Sequence, residues 1–196
     1  MKGRSYFYYI LTIISIVLIN ACATTQFDSV WKDNTYQGGP LKKVLIIGVT
    51  KKQPVRRYFE EELAGKLQAT GTDAVPSYTV LPEDKMPAKE TVTAIVNELK
   101  IDSVLITKFL DIKDVGTYET IPTVVNAGYY GYYIESPRTE SLGYNVVLET
   151  KVFETKNEHL IWSALTETIL EGEAENSIDS FIPVIINKLR ENKLLQ

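Results

Sequence analysis

The strongest constraint on the fold is a regular alternation of strand-like and helix-like segments between residues 44 and 112. Residues 44–49 read VLIIGV, a short apolar run typical of a strand that is buried on both faces. Pro54 then begins a helical pattern with an apolar residue at every fourth position, and Gly71 ends it. A strand at 73–81, a helix at about 88–100 and a strand at 103–112 follow. This order predicts two βαβ units with right-handed crossovers.

The pattern changes in the second half of the chain. Apolar and polar residues alternate at 144–153, residues 155–158 form a turn, and 159–170 returns as an antiparallel partner strand. A closing helix is expected to begin at Ser180, because Pro183 then falls in its first turn. The sequence therefore predicts an α/β (α+β) fold of order βαβαβ-ββα, with a mixed five-stranded sheet and helices mainly on one face. Pro76 cannot donate a ladder hydrogen bond, so the 73–81 strand is expected at an edge.

The first residues resemble an export signal rather than part of the fold. Lys2 and Arg4 precede an apolar run over 6–19 that is too short to span a membrane comfortably but has the length of a signal-peptide core. The run ends beside Cys22, the only cysteine of the chain. An alternative interpretation is that this run is a signal anchor and that Cys22 is incidental.

The stretch Leu18-Ile19-Asn20-Ala21-Cys22 resembles a bacterial lipobox. The resemblance implies cleavage before Cys22, a diacylglyceryl thioether on its sulfur and usually a further acyl chain on the new amino terminus. Two or more acyl chains hold a protein stably at a bilayer. We therefore predict a signal peptide over 1–21, an acylated leader or tether over 22–41, and a single α/β domain over 42–196.

Composition limits the partners of the mature chain. The whole chain has 196 residues and 44% apolar content, enough for one core. Without residues 1–21, which hold two basic and no acidic residues, 19 Lys and Arg face 25 Asp and Glu, a net charge of −6. This balance argues against nucleic acid as a partner and against a polybasic mode of membrane binding. The acyl chains on Cys22 are therefore the predicted contact with the membrane.

Several scaffold residues carry a family resemblance. They are Val30-Trp31-Lys32-Asp33, Gly38 to Val44, Arg56-Arg57, Phe59-Glu60, Ser77-Tyr78, Leu81-Pro82 and Leu160 to Ala164. With them, the chain resembles a family of small Gram-negative lipoproteins of unknown function. The order of elements is also similar to that of an α/β domain found in three other cases. These are the curli-secretion lipoprotein, the penicillin-binding-protein activator lipoproteins and the amino-terminal domain of the Tol-system propeller protein. The resemblance implies a role in envelope scaffolding.

A catalytic constellation is not evident in the sequence. His159 is the only histidine, and it lies at the predicted hairpin turn, where a solvated role is expected. Neither a Gly-x-Ser-x-Gly nucleophile motif nor a phosphate-binding loop is present. The carboxylates of Asp111, Asp114 and Glu119 are spaced as in any strand end and loop. We therefore predict no catalytic residues, no metal site and no cofactor.

A basic segment over residues 50–57, TKKQPVRR, is a candidate anion-binding site. Its cations are Lys51, Lys52, Arg56 and Arg57. They gather where a strand meets the amino terminus of a helix, the end whose dipole favours negative charge. A phosphate, a lipid headgroup or a peptidoglycan carboxylate would suit the site. The alternative is a solvated loop in which Arg57 pairs with Glu61.

A long connection over 116–142, rich in tyrosine and glycine, is the candidate partner-binding segment. Its stretch AGYYGYYI contains Tyr129, Tyr130, Tyr132 and Tyr133. Tyrosine offers a large amphipathic contact area with few torsions to immobilise, and it is enriched at interfaces for that reason. Two other interpretations remain open: the tyrosines pack on their own sheet, or the segment forms a membrane-inserting hairpin like that of the curli pore.

Together these features predict a non-enzymatic, lipid-anchored binding or assembly module in the periplasm, with an envelope protein or a second copy as partner. Ala23 follows the cysteine where an inner-membrane retention signal would have aspartate, so the outer membrane is the expected location. The alternatives are a ring-forming secretion or pore component of the outer membrane and an envelope hydrolase.

Overall fold

A computed structural model describes residues 25–50, 52–81, 89–113, 145–169 and 174–196. The strands are β1 (Thr25–Lys32), β2 (Lys43–Val49), β3 (Asp73–Pro76), β4 (Ser103–Lys113), β5 (Asn145–Glu154) and β6 (His159–Ile169). The helices are α1 (Gln53–Gln68), α2 (Lys89–Glu98) and α3 (Ala174–Glu191), with a 3-10 turn at Ser77–Thr79.

The described strands form one mixed sheet in the order β1-β6-β5-β4-β2-β3. Strand β2 is parallel to both β3 and β4, as two βαβ units require. Strands β4, β5, β6 and β1 pair antiparallel in turn. The predicted fold class is confirmed, and so is the edge position of the strand that contains Pro76.

The sheet has a sixth strand that the sequence interpretation assigned to the tether. Strand β1 pairs along β6, from Thr25 opposite Thr168 to Lys32 opposite Trp162, so these residues belong to the domain. The boundary at residue 42 and the count of five strands were therefore wrong. Strand β1 forms although its sequence has no clean alternation of apolar and polar residues. Pairing with β6 satisfies the backbone N–H and C=O groups on one side of the strand, and this favours the strand more than the sequence pattern does.

Helices cover both faces of the sheet unequally. Helices α1 and α3 cover one face, where Phe59, Phe181 and Trp162 are among the largest fully buried side chains. Helix α2 covers the other face through Val92 and Val96, which pack on the parallel strands. The prediction of helices mainly on one face is therefore confirmed.

Two element boundaries differ from the sequence expectation. Strand β3 ends at Pro76, and the chain continues as a 3-10 turn rather than as strand to residue 81. Helix α3 begins at Ala174 instead of Ser180, so that Pro183 lies inside it. Pro183 is exposed, while Ile178 and Phe181 of the same helix are buried. Burial of the apolar face therefore outweighs the hydrogen bond that proline removes.

Candidate functional site

The basic segment follows strand β2, which is next to the edge strand β3 at one end of the strand order, and it lies beside the buried carboxylate of Glu60. The Glu60 side chain is 0% exposed, and its Oε1 atom accepts hydrogen bonds from the Gly48 amide at 2.9 Å, from Arg56 Nε at 2.9 Å and from Ser77 Oγ at 2.8 Å. Its Oε2 atom accepts the Tyr78 amide at 2.9 Å. Four donors from strand β2, helix α1 and the 3-10 turn therefore converge on a single carboxylate, as a buried charge requires.

Arg56 belongs to this network and not to a surface lip. Its side chain is 5% exposed, its Nε pairs with Glu60, and its Nη2 donates to Ser77 Oγ at 2.7 Å. The prediction of Arg56 as an anion ligand is corrected on this point, because its guanidinium is already held by a buried carboxylate. Close packing contributes: a Cβ on Gly48 would lie 3.0 Å from the Phe59 ring, so a larger residue there would press on the α1 side chain that packs against β2.

Two other predicted cations lie on the surface. Lys52 is the exposed N-cap residue of α1, whose first turn has no side-chain cap and no acidic residue. Arg57 is also exposed, and its guanidinium carbon lies 5.7 Å from the centroid of the Tyr78 ring, within cation–π range. Lys51 lies outside the described residues. An anion site at this end stays a prediction, now without Arg56.

The opposite end of the sheet is the open edge of β1, which exposes two large apolar side chains. Val30 is 38% exposed and Trp31 is 48% exposed, the large exposed hydrophobic residues of the described chain. Trp31 pairs with Ser163 of β6, and Ser163 pairs with Lys151 of β5, so the three side chains form a row on one face. Thr25, the first residue of β1, lies three positions after Cys22.

Charged side chains occupy the same face of the sheet on β5 and β4, two and three strands from Trp31. Lys151 Nζ lies 2.8 Å from Glu149 Oε1, with side-chain exposures of 5% and 19%. Lys108, on the neighbouring strand, is 4% exposed. The sequence places Glu149 and Lys151 on one side of an alternating strand, but alternation distinguishes two faces and does not show how far a polar face is buried.

A side-chain hydrogen bond links Asp33, directly after β1, to the start of β6 in the β5–β6 hairpin. His159 Nε2 lies 2.6 Å from Asp33 Oδ2, and the other oxygen of Asp33 accepts the amide and the hydroxyl of Thr35, each at 2.7 Å. These bonds, led by the one to His159, lower the pKa of Asp33 from 3.8 to about 2. His159 was expected to be only a solvated turn residue; it is half exposed, but it joins two parts of the domain that are distant in sequence.

A small apolar cavity lies between the start of α3 and the sheet. Its volume is about 30 Å³, and it is lined mainly by the side chains of Phe59, Phe109, Leu148, Ile178 and Phe181. This volume suits one water molecule or a methyl group rather than a substrate. Three side chains that carry hydroxyl groups also line the cavity: Thr107, Thr168 and Ser177.

Several predicted site residues lie outside the described part of the chain. They are Cys22, Lys51, Tyr129, Tyr130, Tyr132 and Tyr133. Within the described part, no three His, Cys, Asp or Glu side chains form a group that could hold a metal ion. No helix there has the length and apolar character needed to cross a membrane.

Comparison with known proteins finds similarity only among solved structures, since no family model and no curated protein matches the chain. A point variant of the PelC dodecamer from Paraburkholderia phytofirmans has a TM-score of 0.47 at 14% identity, covering 81% of this chain and 94% of that chain. A second PelC dodecamer structure has a TM-score of 0.46 at 14% identity, with 86% and 99% covered. Lipoprotein GNA1162 from Neisseria meningitidis has a TM-score of 0.42 at 10% identity, with 76% and 96% covered.

Proposed function

We propose that this chain is a lipid-anchored module of the bacterial cell envelope, attached through acyl chains on Cys22 and acting by protein contacts rather than by catalysis. The observation that supports the proposal best is the position of β1. A strand of the sheet begins at Thr25, three residues after the cysteine of the lipobox-like stretch. The first described strand therefore lies close to the point where a lipoprotein signal would end.

The short spacing has a physical consequence. Three residues span at most about 11 Å when fully extended. An acylated Cys22 would therefore hold the domain against the bilayer surface rather than on a long flexible tether. Attachment to the outer membrane, with the domain in the periplasm, is the finer form of the proposal, supported by Ala23 in place of aspartate.

Fractionation of a Gram-negative host that expresses the full chain tests the proposal. The wild-type protein should sediment with membranes, incorporate labelled palmitate and float with vesicles in a density gradient. Cys22→Ser should abolish labelling and flotation while the domain stays folded by circular dichroism. Equal flotation of wild type and Cys22→Ser would overturn the proposal.

The partner is tested separately. Light scattering of the detergent-extracted protein reports how many copies associate. A mass of one chain would favour a different envelope protein as partner, and Tyr129, Tyr130, Tyr132 and Tyr133 changed together to serine should then weaken its capture. Assembly into a ring, as in the PelC dodecamer, is the alternative that the same mass measurement tests.

A further inference from the structure

The open edge of β1 combines exposed apolar side chains with nearness to the proposed anchor. Val30 pairs with Ala164, whose side chain is buried on the α1 and α3 face, and Trp31 pairs with Ser163 on the opposite face. The two side chains therefore flank the sheet edge from both sides. Val30 is 38% exposed and Trp31 is 48% exposed. Both belong to β1, the first described strand after Cys22.

The distances allow this edge to reach a membrane. Thr25 lies within about 11 Å of Cys22, the limit for three extended residues. Trp31 follows Thr25 by six residues, or about 20 Å along the strand. If β1 lies along the bilayer surface, both the anchor and Trp31 meet the headgroup region. If it stands upright instead, Trp31 is held away from the lipid.

We propose that the open edge of β1 lies on the bilayer, with Val30 and Trp31 in the interfacial layer. This inference rests on the proposed function, since it requires the acylated Cys22. The indole ring has an apolar body and one polar N–H group, and tryptophan is enriched at the boundary between lipid and water for that reason. Amide and carbonyl groups on the side of β1 that pairs with no described strand remain hydrated in the headgroup region.

A second copy is the competing occupant, and the edge itself disfavours it. The register of β1 against β6 shifts between Phe27 and Ser29, which leaves Asp28 as an exposed bulged residue. A bulge and a charged side chain on an edge strand oppose pairing with another strand, because they interrupt the hydrogen-bond ladder. A lipid surface needs no continuous ladder. The mature chain carries a net charge of −6, so apolar contact rather than attraction to anionic lipid would hold this edge.

The orientation also restricts the basic segment. Strand β2 is the fourth strand after β1 in the sheet, and neighbouring strands lie about 4.8 Å apart, which places β2 about 19 Å from the membrane edge. Lys52 follows β2 and would stand at a similar height. This distance exceeds a Debye length of about 8 Å at physiological salt. An anion at Lys52 would therefore come from the periplasm and not from a headgroup of the anchoring membrane.

Tryptophan fluorescence tests the proposal, since the chain has two tryptophans in opposite environments. Trp31 is half exposed, whereas Trp162 is 0% exposed in the core and serves as an internal control. The lipidated full-length protein is reconstituted into phosphatidylcholine vesicles whose acyl chains carry bromine near the headgroup. Bromine should quench the Trp31 share of the emission in wild type, and quenching should be lost in Trp31→Phe, which retains Trp162.

The outcomes separate this inference from the proposed function. If the protein floats with the vesicles but wild type is quenched no more than Trp31→Phe, the membrane orientation is wrong and the anchor stands. Protection of Trp31 from aqueous iodide without any quenching by bromine would place Trp31 against protein rather than lipid and would also overturn the inference. If the protein extracted from membranes carries no acyl group on Cys22 and does not float, the proposed function itself is overturned.

Discussion

The two ends of the sheet differ in which residues are buried and which are exposed. At the β2 end, charged residues are buried, and Glu60 accepts four hydrogen bonds from residues of three elements. At the β1 end, apolar residues are exposed, and Trp31 is half open to solvent on the strand that follows the proposed anchor. The charge-rich segment therefore stabilises the fold in part, and the apolar strand provides a candidate contact surface. A motif rich in cations is not by itself evidence of a ligand site.

The largest expected effect comes from Glu60. Replacing it with alanine leaves the Arg56 guanidinium buried without its carboxylate, and breaking a buried ion pair in this way costs about 3–5 kcal/mol. Urea unfolding followed by circular dichroism measures the loss. Glu61→Ala, at an exposed neighbouring position, is the matched control and should change stability by less than about 0.5 kcal/mol. Equal costs for the two variants would contradict a structural role for the network.

The two tryptophans give the next contrast. Trp162→Ala removes a fully buried side chain and should destabilise the domain by about 3–5 kcal/mol. Trp31→Ala removes an exposed side chain and should cost much less in the soluble Cys22→Ser protein. Thermal unfolding of the two variants checks this. A large cost for Trp31→Ala would mean that Trp31 belongs to the core of the domain and is not free for membrane contact.

Replacing either of two glycines near β2 with alanine should change the stability of the protein, in opposite directions. A Cβ at Gly48 would meet the Phe59 ring at 3.0 Å, so Gly48→Ala should cost about 1–3 kcal/mol through overpacking. A Cβ at Gly65, inside helix α1, meets nothing within 4 Å. Gly65→Ala should therefore stabilise the protein by about 0.5–1 kcal/mol. Denaturant midpoints that move in the same direction would show that α1 does not press on β2 as described.

The smallest expected effect is a pH dependence at Asp33. Its pKa is lowered from 3.8 to about 2 in the folded state, so the ionised side chain stabilises the fold above pH 3.8. This contribution is lost as the pH falls from 3.8 through about 2. Unfolding midpoints of wild type and Asp33→Asn should therefore differ by a constant amount at neutral pH and converge below pH 3.8. His159→Ala should remove most of the same contribution, and parallel pH profiles for all three proteins would contradict the assignment.

The parallel half of the fold was predictable because its signals are local. Phe59, Leu63 and Leu67 repeat at helical spacing, and VLIIGV is continuous, so short windows identify both elements. Strand β1 was not predictable in this way. Its eight residues include Asp28 and Lys32, and its partner β6 lies more than 120 residues further along the chain. Only pairing across the sheet shows that these residues form a strand.

The buried position of Arg56 was not predictable for a related reason. Arg56 and Glu60 stand four residues apart on a helix, a spacing that is equally typical of an exposed ion pair. Burial depends on Ser77 and Tyr78, which reach the carboxylate from a turn 17 and 18 residues away. A sequence pattern shows which side chains can pair, but packing from distant residues decides whether the pair is exposed.

We propose Cys22 as the acylated amino terminus of the mature chain, three residues before the first residue of β1. This is tested by mass spectrometry of the amino-terminal peptide, from protein purified out of its own membrane. We expect a peptide that begins at Cys22 and carries the mass of a diacylglyceryl group, with or without a further acyl chain. A mature chain that retains residues 1–21, or an unmodified Cys22, would contradict it.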